Sequence, residues 1–267
     1  MIIIKIGGGK NINWDYICQD LVSLVKKGER IIVVHGASST RDEIAEKLKI
    51  PTKTITSPSG ITSVYTDKKA LEVLLMAYSG LINKQIVAKM QSYGINAVGL
   101  SGVDGRVWEA KRKDVVYAVE NGKTKLVNDN LTGKVEKINK NLINLLVKNK
   151  YVPVICPPAI SFENEIVNTD NDIATALMAG ILGIKKIVVL FEAPGMLRDI
   201  NDPQSLIKEL KEEELENCMK FAIGRMKKKL LGAQKALALG VKRIHWGDGR
   251  IKHPILKAIK GKGTVIR

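Results

Sequence analysis

Apolar runs that end in glycine alternate with amphipathic segments at the start of the chain. Residues 1–6 read MIIIKI and are followed by Gly7-Gly8-Gly9, and apolar residues then recur at helical spacing over residues 14–28. A continuous β-branched run is typical of a buried strand, and a period of about 3.6 residues is typical of an amphipathic helix. The pattern therefore predicts a strand, a glycine turn and a helix.

The same unit recurs directly afterwards. Residues 30–34 predict a second buried strand, residues 35–39 a second tight turn, and residues 41–48 a second helix. Consecutive strand–helix units favour a parallel sheet covered by helices, because a connection between parallel strands must cross a face of the sheet. We therefore predict an α/β fold, a three-layer αβα sandwich with a largely parallel central sheet.

The alternation becomes shorter between residues 96 and 135. Turn signals at residues 103–105 and 120–122 separate short alternating segments there. This pattern is typical of antiparallel hairpins, and we interpret the region as a flap.

The rest of the chain continues the α/β pattern. The other predicted elements are a helix over residues 66–93 with a cap at Thr66 or Asp67 and a break near Gly80, a strand over 151–155 that ends at Pro157-Pro158, a helix over 172–182, strands at 187–190, 242–246 and 263–266, an acidic helix over 208–216 and a basic helix over 224–239. No low-complexity linker divides the chain, and we place a boundary near residue 180 between lobes 1–180 and 181–267.

Composition restricts the classes of protein that the pattern allows. The chain has 267 residues, of which 45% are hydrophobic, so it can bury a sizeable core and is not disordered. No apolar run approaches the roughly 20 residues of a membrane span, and the apolar start is too short for a signal peptide. We therefore expect a cytoplasmic protein without a membrane partner.

The chain carries a large positive charge, with 43 Lys+Arg against 27 Asp+Glu and a net charge of +16. Such a surface binds nucleic acid, anionic lipid or a soluble anionic partner, or it is simply a solvated lysine coat. Nucleic acid is disfavoured, because aromatic residues make up only 4% of the chain and the cations are not clustered. Three cysteines and three histidines are scattered, which predicts neither disulfides nor a metal site.

Two small-residue turns are the first candidates for chemistry. Lys5 stands just before Gly7-Gly8-Gly9, and His35-Gly36-Ala37-Ser38 follows the neighbouring predicted strand. Such turns at the carboxyl ends of parallel strands let backbone N–H groups approach a phosphate, and a lysine beside them can neutralise its charge. A purely structural turn is the alternative for each.

Two further segments carry charged residues at predicted helix starts. Asn168-Thr169-Asp170-Asn171-Asp172 either orients other site residues or only caps a helix. The segment from Gly224 to Lys229, GRMKKK, places cations at a helix N-terminus, where they oppose the helix dipole unless an anion binds. A solvated charge run is the alternative there.

These four elements in this order resemble the amino acid kinase family, with its carbamate kinase- and acetylglutamate kinase-like fold. The resemblance covers the whole chain and is strongest to the branch of [LysW]-aminoadipate/[LysW]-glutamate kinases of lysine and arginine biosynthesis. Segments typical of that branch are GLSGVDGR at 99–106, LTGKV at 131–135, PPAIS at 157–161, GRMKKK at 224–229 and GKGTVI at 261–266.

The resemblance implies that ATP, brought with Mg²⁺, phosphorylates a carboxylate to give an acyl phosphate. It implies an acidic LysW-like carrier protein as partner and a homodimer formed around residues 74–81. It also implies a substrate-binding lobe before residue 180 and a nucleotide-binding lobe after it. The implied catalytic residues are Lys5, Lys229 and Asp172; the implied substrate-binding residues are Gly36, Ala37, Asn168 and the position of Val64; the implied nucleotide-binding residues are Gly8, Gly9, Gly195, Met196 and Lys227.

The chain departs from the family pattern at several of these positions. Ala37 replaces a glycine, Phe191-Glu192 replaces a polar pair, and Val64 stands where relatives carry an arginine for the substrate's α-carboxylate. An apolar side chain cannot replace a guanidinium, so Arg41 or Lys68 supplies the charge, the substrate lacks that carboxylate, or activity is lost. Free N-acetylglutamate as substrate and a non-catalytic ligand-binding protein therefore stay open as alternatives.

Overall fold

The apolar runs at the start of the chain form two neighbouring parallel strands. In a computed structural model that describes residues 1–113, 115–120 and 122–267, β1 (Ile2–Ile6) and β2 (Ile31–His35) are buried along their whole length. They pair in parallel from Ile2 with Ile31 to Ile6 with His35. β-Branched side chains favour strands whose two faces are both covered, and this explains the continuous apolar pattern.

The remaining strands and the helices follow in chain order. The strands are β3 (Thr54–Thr56), β4 (Thr62–Val64), β5 (Ala97–Gly102), β6 (Trp108–Arg112), β7 (Val116–Glu120), β8 (Lys123–Val127), β9 (Thr132–Ile138), β10 (Val152–Ser161), β11 (Ile166–Thr169), β12 (Lys186–Phe191), β13 (Met196–Leu197), β14 (Leu206–Ile207), β15 (Glu209–Leu210), β16 (Arg243–Asp248) and β17 (Thr264–Ile266). The helices are α1 (Trp14–Lys26), α2 (Ser38–Lys47), α3 (Lys68–Leu75), α4 (Asn83–Ser92), α5 (Lys140–Lys148), α6 (Asn171–Ile181), α7 (Leu215–Cys218), α8 (Arg225–Ala238) and α9 (Pro254–Ile259).

Within the described residues, eleven strands form one central sheet. Their order is β11-β9-β6-β10-β2-β1-β12-β16-β17-β15, and β5 pairs with β10. The strands β10, β2, β1, β12 and β16 are all parallel. Because the carboxyl ends of parallel strands share one edge, the segments that follow β1, β2 and β12 meet there.

The alternation of side chains along β1 assigns the helices to two layers. Ile3 belongs to a core with α5, α6 and α8, whereas Ile2, Ile4 and Ile6 belong to a core with α1, α4 and α9. Successive side chains of a strand point to opposite faces, so both faces of the sheet are covered. The predicted three-layer α/β sandwich is therefore confirmed.

The predicted flap over residues 96–135 is too long. Ala97–Gly102 forms β5, which pairs in parallel with Val152–Cys156 and extends the central sheet. The antiparallel pattern begins only at β6, which pairs with β9, and continues in the β7–β8 hairpin. The short alternation predicted hairpins because periodicity does not distinguish parallel from antiparallel pairing. Asn121, in the predicted turn at 120–122, lies outside the described residues.

Strand β10 does not end at Pro157-Pro158, and this prediction is wrong. Residues 152–156 pair with β5, whereas Ala159 and Ile160 pair with β11 and Ile160 and Ser161 pair with β6. The two prolines fall between these ladders, where a missing N–H removes no ladder hydrogen bond.

The acidic segment at 208–216 is not one helix, contrary to the prediction. Glu209–Leu210 forms β15, which pairs with Val265 and Ile266 of β17. A single 3₁₀ turn at Glu212–Glu214 leads into α7. Tertiary pairing with the sheet edge outweighs the local helical preference of the acidic residues.

The long helical segment changes its hydrogen-bond pattern near Gly80 without a break. The seven residues Met76–Ile82 form a π-helical segment between α3 and α4, and Asp67 caps α3 by accepting the Ala70 N–H at 2.8 Å. Met76 and Leu81 are exposed on this segment. The homodimer around residues 74–81 stays a prediction, as does the lobe boundary near residue 180. In the described chain, no helix has the length and apolar character that crossing a membrane requires.

Candidate active site

A buried lysine near the end of β1 is the centre of the candidate site. Lys5 lies on the same face of the strand as Ile3, because the two residues are two positions apart. That face is covered by α6 and α8. The Lys5 side chain is 3% exposed. Its Nζ lies 2.6 Å from Oδ1 of Asp172 in the first turn of α6.

A second lysine reaches the same carboxylate from α8. Nζ of Lys229 lies 3.7 Å from Oδ2 of Asp172 and 5.3 Å from the centroid of the Phe191 ring. The two helices approach closely at Gly232, where a Cβ atom would stand only 3.0 Å from the Cβ of Asp172. The glycine thus permits the helix spacing that brings Lys229 to the carboxylate.

The two aspartates at the start of α6 have different tasks. Asp170 is the N-cap, and its Oδ1 accepts the N–H groups of Asp172 and Ile173 at 2.9 and 3.1 Å. The carboxylate of Asp172 is therefore not needed as a cap and is directed between Lys5 and Lys229. The sequence left open whether this segment caps a helix or orients site residues. Asp170 caps the helix, and the contacts of Asp172 with the two lysines are compatible with a role in the site.

Burial and the neighbouring charges shift the pKa values of Asp172 and Lys229. Burial alone would raise the pKa of Asp172, but the charges of Lys229 and Lys5 outweigh it and lower the pKa to about 2. Burial lowers the pKa of Lys229 to about 8; the Asp172 carboxylate opposes this shift, and the Lys5 ammonium adds to it. Two cations around one anion leave a surplus positive charge, which suits the binding of a further anion.

A cavity of about 20 Å³ lies beside this cluster. Lys5, Asp172 and Lys229 line it together with apolar residues of β12, β16 and α8, including Trp246. Such a volume admits about one water molecule. Protein side chains therefore line this side of the charged groups, and the turns that follow β1 and β2 lie at the edge of the sheet.

Two glycine turns pack against each other at that edge. A Cβ at Gly8 would stand 2.4 Å from the backbone nitrogens of Ala37 and Ser38, and a Cβ at Gly36 would stand 2.9 Å from the nitrogen of Gly8. The Gly8 carbonyl accepts the Ser39 N–H at 2.9 Å. In the part of the chain that the structure describes, the N–H groups of Gly8, Gly9 and Ser38 have no acceptor. Backbone N–H groups arranged in this way bind phosphate oxygens.

Ala37 replaces the expected glycine without strain. Its φ is −148°, on the negative side that residues with a Cβ atom can adopt. Its methyl group is buried in a small cluster with Leu74, Tyr78 and Cys156. The substitution therefore keeps the shape of the turn.

The second turn is fixed from behind by a buried polar pair. His35 lies under the turn, and burial lowers its pKa to about 4, so the ring is neutral at pH 7. Its Nδ1 lies 3.2 Å from the carbonyl oxygen of Gly36, and Nε2 lies 3.1 Å from Nδ2 of Asn83. The same Asn83 nitrogen donates to the Val154 carbonyl at 3.0 Å. This pair joins the turn to β10 and to the start of α4.

Hydrogen bonds link the position of Val64 to polar side chains. Val64 is the last residue of β4, and its carbonyl accepts the Thr66 hydroxyl at 3.2 Å. Thr66 Oγ1 in turn accepts Nδ2 of Asn168 at 2.9 Å, and Asn130 Oδ1 accepts the Thr66 N–H. The structure thus brings Val64 and Asn168 together through Thr66, which the sequence analysis did not assign to the site.

Known proteins are similar to this chain over most or all of its length. The model of the amino acid kinase family matches residues 1–246. The chain is 44% identical over 269 residues to the [LysW]-aminoadipate kinase of Thermus thermophilus, with all of both chains covered. It is 47% identical over 266 residues to the [LysW]-aminoadipate kinase of Deinococcus radiodurans, covering all of this chain and 91% of the relative.

This chain belongs to the amino acid kinase family. Its fold also matches a solved structure, the carbamate kinase from Giardia lamblia bound to AMP-PNP. That match has a TM-score of 0.67 and 16% identity and covers 99% of this chain and 97% of that one. At this identity the likeness concerns the fold alone.

In this amino acid kinase, the other predicted nucleotide residues lie on separate elements. Gly195 and Met196 lie beside β17, where Thr264 Oγ1 accepts the Met196 N–H at 2.8 Å and would clash with a side chain at position 195. Lys227 extends from α8 toward the β3–β4 loop, and its Nζ would be 3.7 Å from a Cβ at Gly60. The described contacts do not join these residues to Asp172.

Sequence reasoning missed one residue that reaches the glycine turns. Arg225, the first residue of α8, donates from Nη1 to the Ser38 hydroxyl at 2.7 Å. The GRMKKK segment had marked α8 as a cationic helix, but the spacing did not indicate which of its cations faces α2. Only the crossing of α8 over the sheet edge identifies Arg225.

The alkaline pH profile of the amino acid kinase is expected to follow the ionisation of Lys229. A protonated Lys229 can neutralise phosphoryl charge, and its pKa in the protein is lowered to about 8. We expect kcat/KM for ATP, which reports the free enzyme, to fall as the pH rises through this value. Steady-state rates between pH 6 and pH 10 measure this dependence.

The variant Lys229→Arg provides the control, because arginine keeps its charge throughout this range. It should be slower at neutral pH but lose the alkaline decline. An alkaline decline of the same midpoint in both proteins would assign the ionisation to another group.

Proposed function

We propose that this protein is an ATP-dependent kinase that phosphorylates the side-chain carboxylate of an amino acid, aminoadipate or glutamate, attached to an acidic LysW-like carrier protein. The observation that carries the proposal is the Asp172 carboxylate held between two lysine ammonium groups beside a pair of glycine turns. The names of the full-length relatives in Thermus and Deinococcus support the choice of substrate.

The reaction requires positioning and neutralisation of charge more than covalent chemistry. A carboxylate oxygen of the substrate attacks the γ-phosphorus of ATP, and the bond from that phosphorus to the β,γ-bridging oxygen breaks. The bond's electron pair leaves with ADP, and the product is an acyl phosphate. Mg²⁺ enters as part of the nucleotide substrate. No proton has to be removed from the nucleophile, so a general base is not required.

Each charged residue has a role that its position supports. Lys5 neutralises the phosphoryl group in transfer, since it lies next to the first glycine turn. Lys229 neutralises the leaving side of the nucleotide from α8. Asp172 contacts both ammonium groups and keeps them in place. Electrostatic groups that are already oriented before the reaction lower its barrier most effectively.

The remaining predicted residues divide between the two substrates. Gly8 and Gly9 donate N–H groups to phosphate, and Gly195, Met196 and Lys227 hold the nucleotide. Gly36, Ala37 and Asn168 line the pocket for the amino acid, with Val64 at its wall. The tight contact between the first two turns supports a direct transfer from one pocket to the other.

The charge that binds the substrate's α-carboxylate is not supplied at position 64. Arg41 is buried and its guanidinium pairs with Asp42 at 2.6 Å, whereas Lys68 is exposed at the start of α3. Neither arrangement duplicates an arginine at position 64. A carrier-linked substrate gains binding energy outside the pocket, so it depends less on that single contact than a free amino acid does.

Ionic strength distinguishes a carrier-linked substrate from a free one. The chain has a net charge of +16, and its attraction to an acidic carrier is screened by salt. We expect KM for carrier-linked aminoadipate or glutamate to rise steeply between 50 and 300 mM salt, by about tenfold or more. KM for ATP in the same assays provides the internal control and should change much less.

Free N-acetylglutamate is the matched alternative substrate. A higher kcat/KM for free N-acetylglutamate than for the carrier-linked amino acids would assign the protein to the free substrate. Binding of ATP without turnover of any of these carboxylates would instead indicate a non-catalytic relative.

A further inference from the structure

We propose that Arg225 is a catalytic residue that contacts the phosphoryl group in transfer. This inference rests on the proposed kinase function. Arg225 occupies an unspecified position of the G-x-M-x-x-K pattern, so the resemblance assigns it no role. Its proposed role follows from the position of its guanidinium.

The guanidinium of Arg225 crosses from α8 to the glycine turns. Its Nη1 donates to the Ser38 hydroxyl at 2.7 Å, and that hydroxyl donates to the Gly8 carbonyl at 3.0 Å. The contact joins residues 187 positions apart in the chain. Arg225 therefore lies where the two turns meet, beside Gly8 and Ser38.

This guanidinium has unused capacity to bind an anion. Within the described residues, Arg225 has no carboxylate partner, and its hydrogen bond is to a neutral hydroxyl. Arginine has five N–H donors in a planar arrangement that suits two phosphoryl oxygens at once. An exposed, charged side chain held at a phosphate-binding turn is poised for such an anion.

The charges of Arg225 and Lys5 act on a common point. Burial raises the pKa of the Tyr78 hydroxyl, and the positive charges of Arg41, Arg225 and Lys5 each oppose that rise. Tyr78 is buried beneath the second turn, in one cluster with Ala37. Lys5 and Arg225 therefore both lie near the second turn.

The position favours the phosphoryl group over the α-carboxylate of the substrate. The contacts of Arg225 lead to Ser38 and Gly8, whereas the wall of the amino acid pocket is formed by Val64, Thr66 and Asn168. An arginine that meets a phosphoryl group from its own chain stabilises charge that develops in the transition state. Its removal should therefore reduce kcat more than it raises KM.

The test compares Arg225→Ala, Arg225→Lys and Ser38→Ala. We expect Arg225→Ala to lower kcat by at least a hundredfold with KM for the acceptor changed less than about threefold, and Arg225→Lys to retain part of the rate. Ser38→Ala keeps the backbone N–H and should cost much less than Arg225→Ala. Arg30→Ala, at an exposed position before β2, is the control for a lost surface arginine.

Binding of ADP with aluminium fluoride, a mimic of the phosphoryl group in transfer, gives a second readout that does not require turnover. Arg225→Ala should weaken binding of this complex by at least a hundredfold and leave Kd for ADP alone within about twofold. If Arg225→Ala shows this loss of binding relative to a wild-type protein that phosphorylates no carboxylate, the proposed substrate is wrong and the role of Arg225 stands.

Three results would overturn the inference. Equal losses of kcat in Ser38→Ala and Arg225→Ala would show that the arginine only fastens α8 to α2. A raised KM for the acceptor with unchanged kcat would place Arg225 on the substrate carboxylate. Unchanged kinetics and unchanged binding of the fluoride complex would leave it as a surface residue.

Discussion

Replacing Lys5 by methionine is expected to lower kcat on the order of a thousandfold while the free energy of unfolding changes by less than about 2 kcal/mol. Methionine keeps the length of the side chain and fills the buried space, so the packing of β1 against α6 is retained. Asp172 keeps Lys229 as a partner. The ammonium group itself acts mainly in the transition state, where phosphoryl charge must be neutralised.

Two measurements on the same preparation test this expectation. Steady-state kinetics give kcat and KM, and urea unfolding gives the stability. Lys26→Met, on the exposed face of α1, is the matched control and should leave kcat unchanged. If Lys5→Met lost stability and activity in equal measure, Lys5 would be a structural residue instead.

Replacing Asp172 by asparagine should damage both stability and catalysis. The variant keeps the shape of the side chain but leaves Lys5 and Lys229 buried without a carboxylate. Breaking a buried ionic cluster by removing one partner costs about 3 to 5 kcal/mol. Because the Asp172 carboxylate raises the pKa of Lys229, Lys229 would then lose its proton more easily, so the alkaline decline of kcat/KM should move to lower pH.

The neighbouring substitution Asp170→Asn is the control for this variant. Asparagine is also a good N-cap, and the pair of Asp170 with Lys228 is half-exposed, so stability should fall by less than about 1 kcal/mol. Urea unfolding of both variants and pH–rate profiles between pH 6 and 10 measure the difference. Similar behaviour of the two variants would mean that Asp172 has no special role.

The sequence predicts most of the parallel sheet because its signals there are local. Met1–Ile6 and the residues after it show a buried strand, a glycine turn and an amphipathic helix in sequence, each identifiable from its own pattern. Lys5 and the GRMKKK segment likewise carry visible chemistry. The family resemblance implies that Asp172 holds the two lysines, but no local pattern shows it, because the arrangement depends on the spacing of α6 and α8 at Gly232.

The errors arise where tertiary pairing decides the structure. Ala97–Gly102 and Glu209–Leu210 become strands of the central sheet only because β10 and β17 offer them a partner. Pro157-Pro158 lies inside β10 because the strand changes partners there. The contact of Arg225 with Ser38 joins residues 187 positions apart in the chain and has no local signal.

We propose that this protein transfers a phosphoryl group from ATP to a carboxylate. Trapping with hydroxylamine tests it directly, because an acyl phosphate is converted to a stable hydroxamate. With ATP, Mg²⁺ and carrier-linked aminoadipate or glutamate, we predict one hydroxamate for each ADP formed, and on the order of a thousandfold less of both with Lys5→Met. ADP formation without hydroxamate, or at a rate that the carboxylate substrate does not change, would contradict the claim.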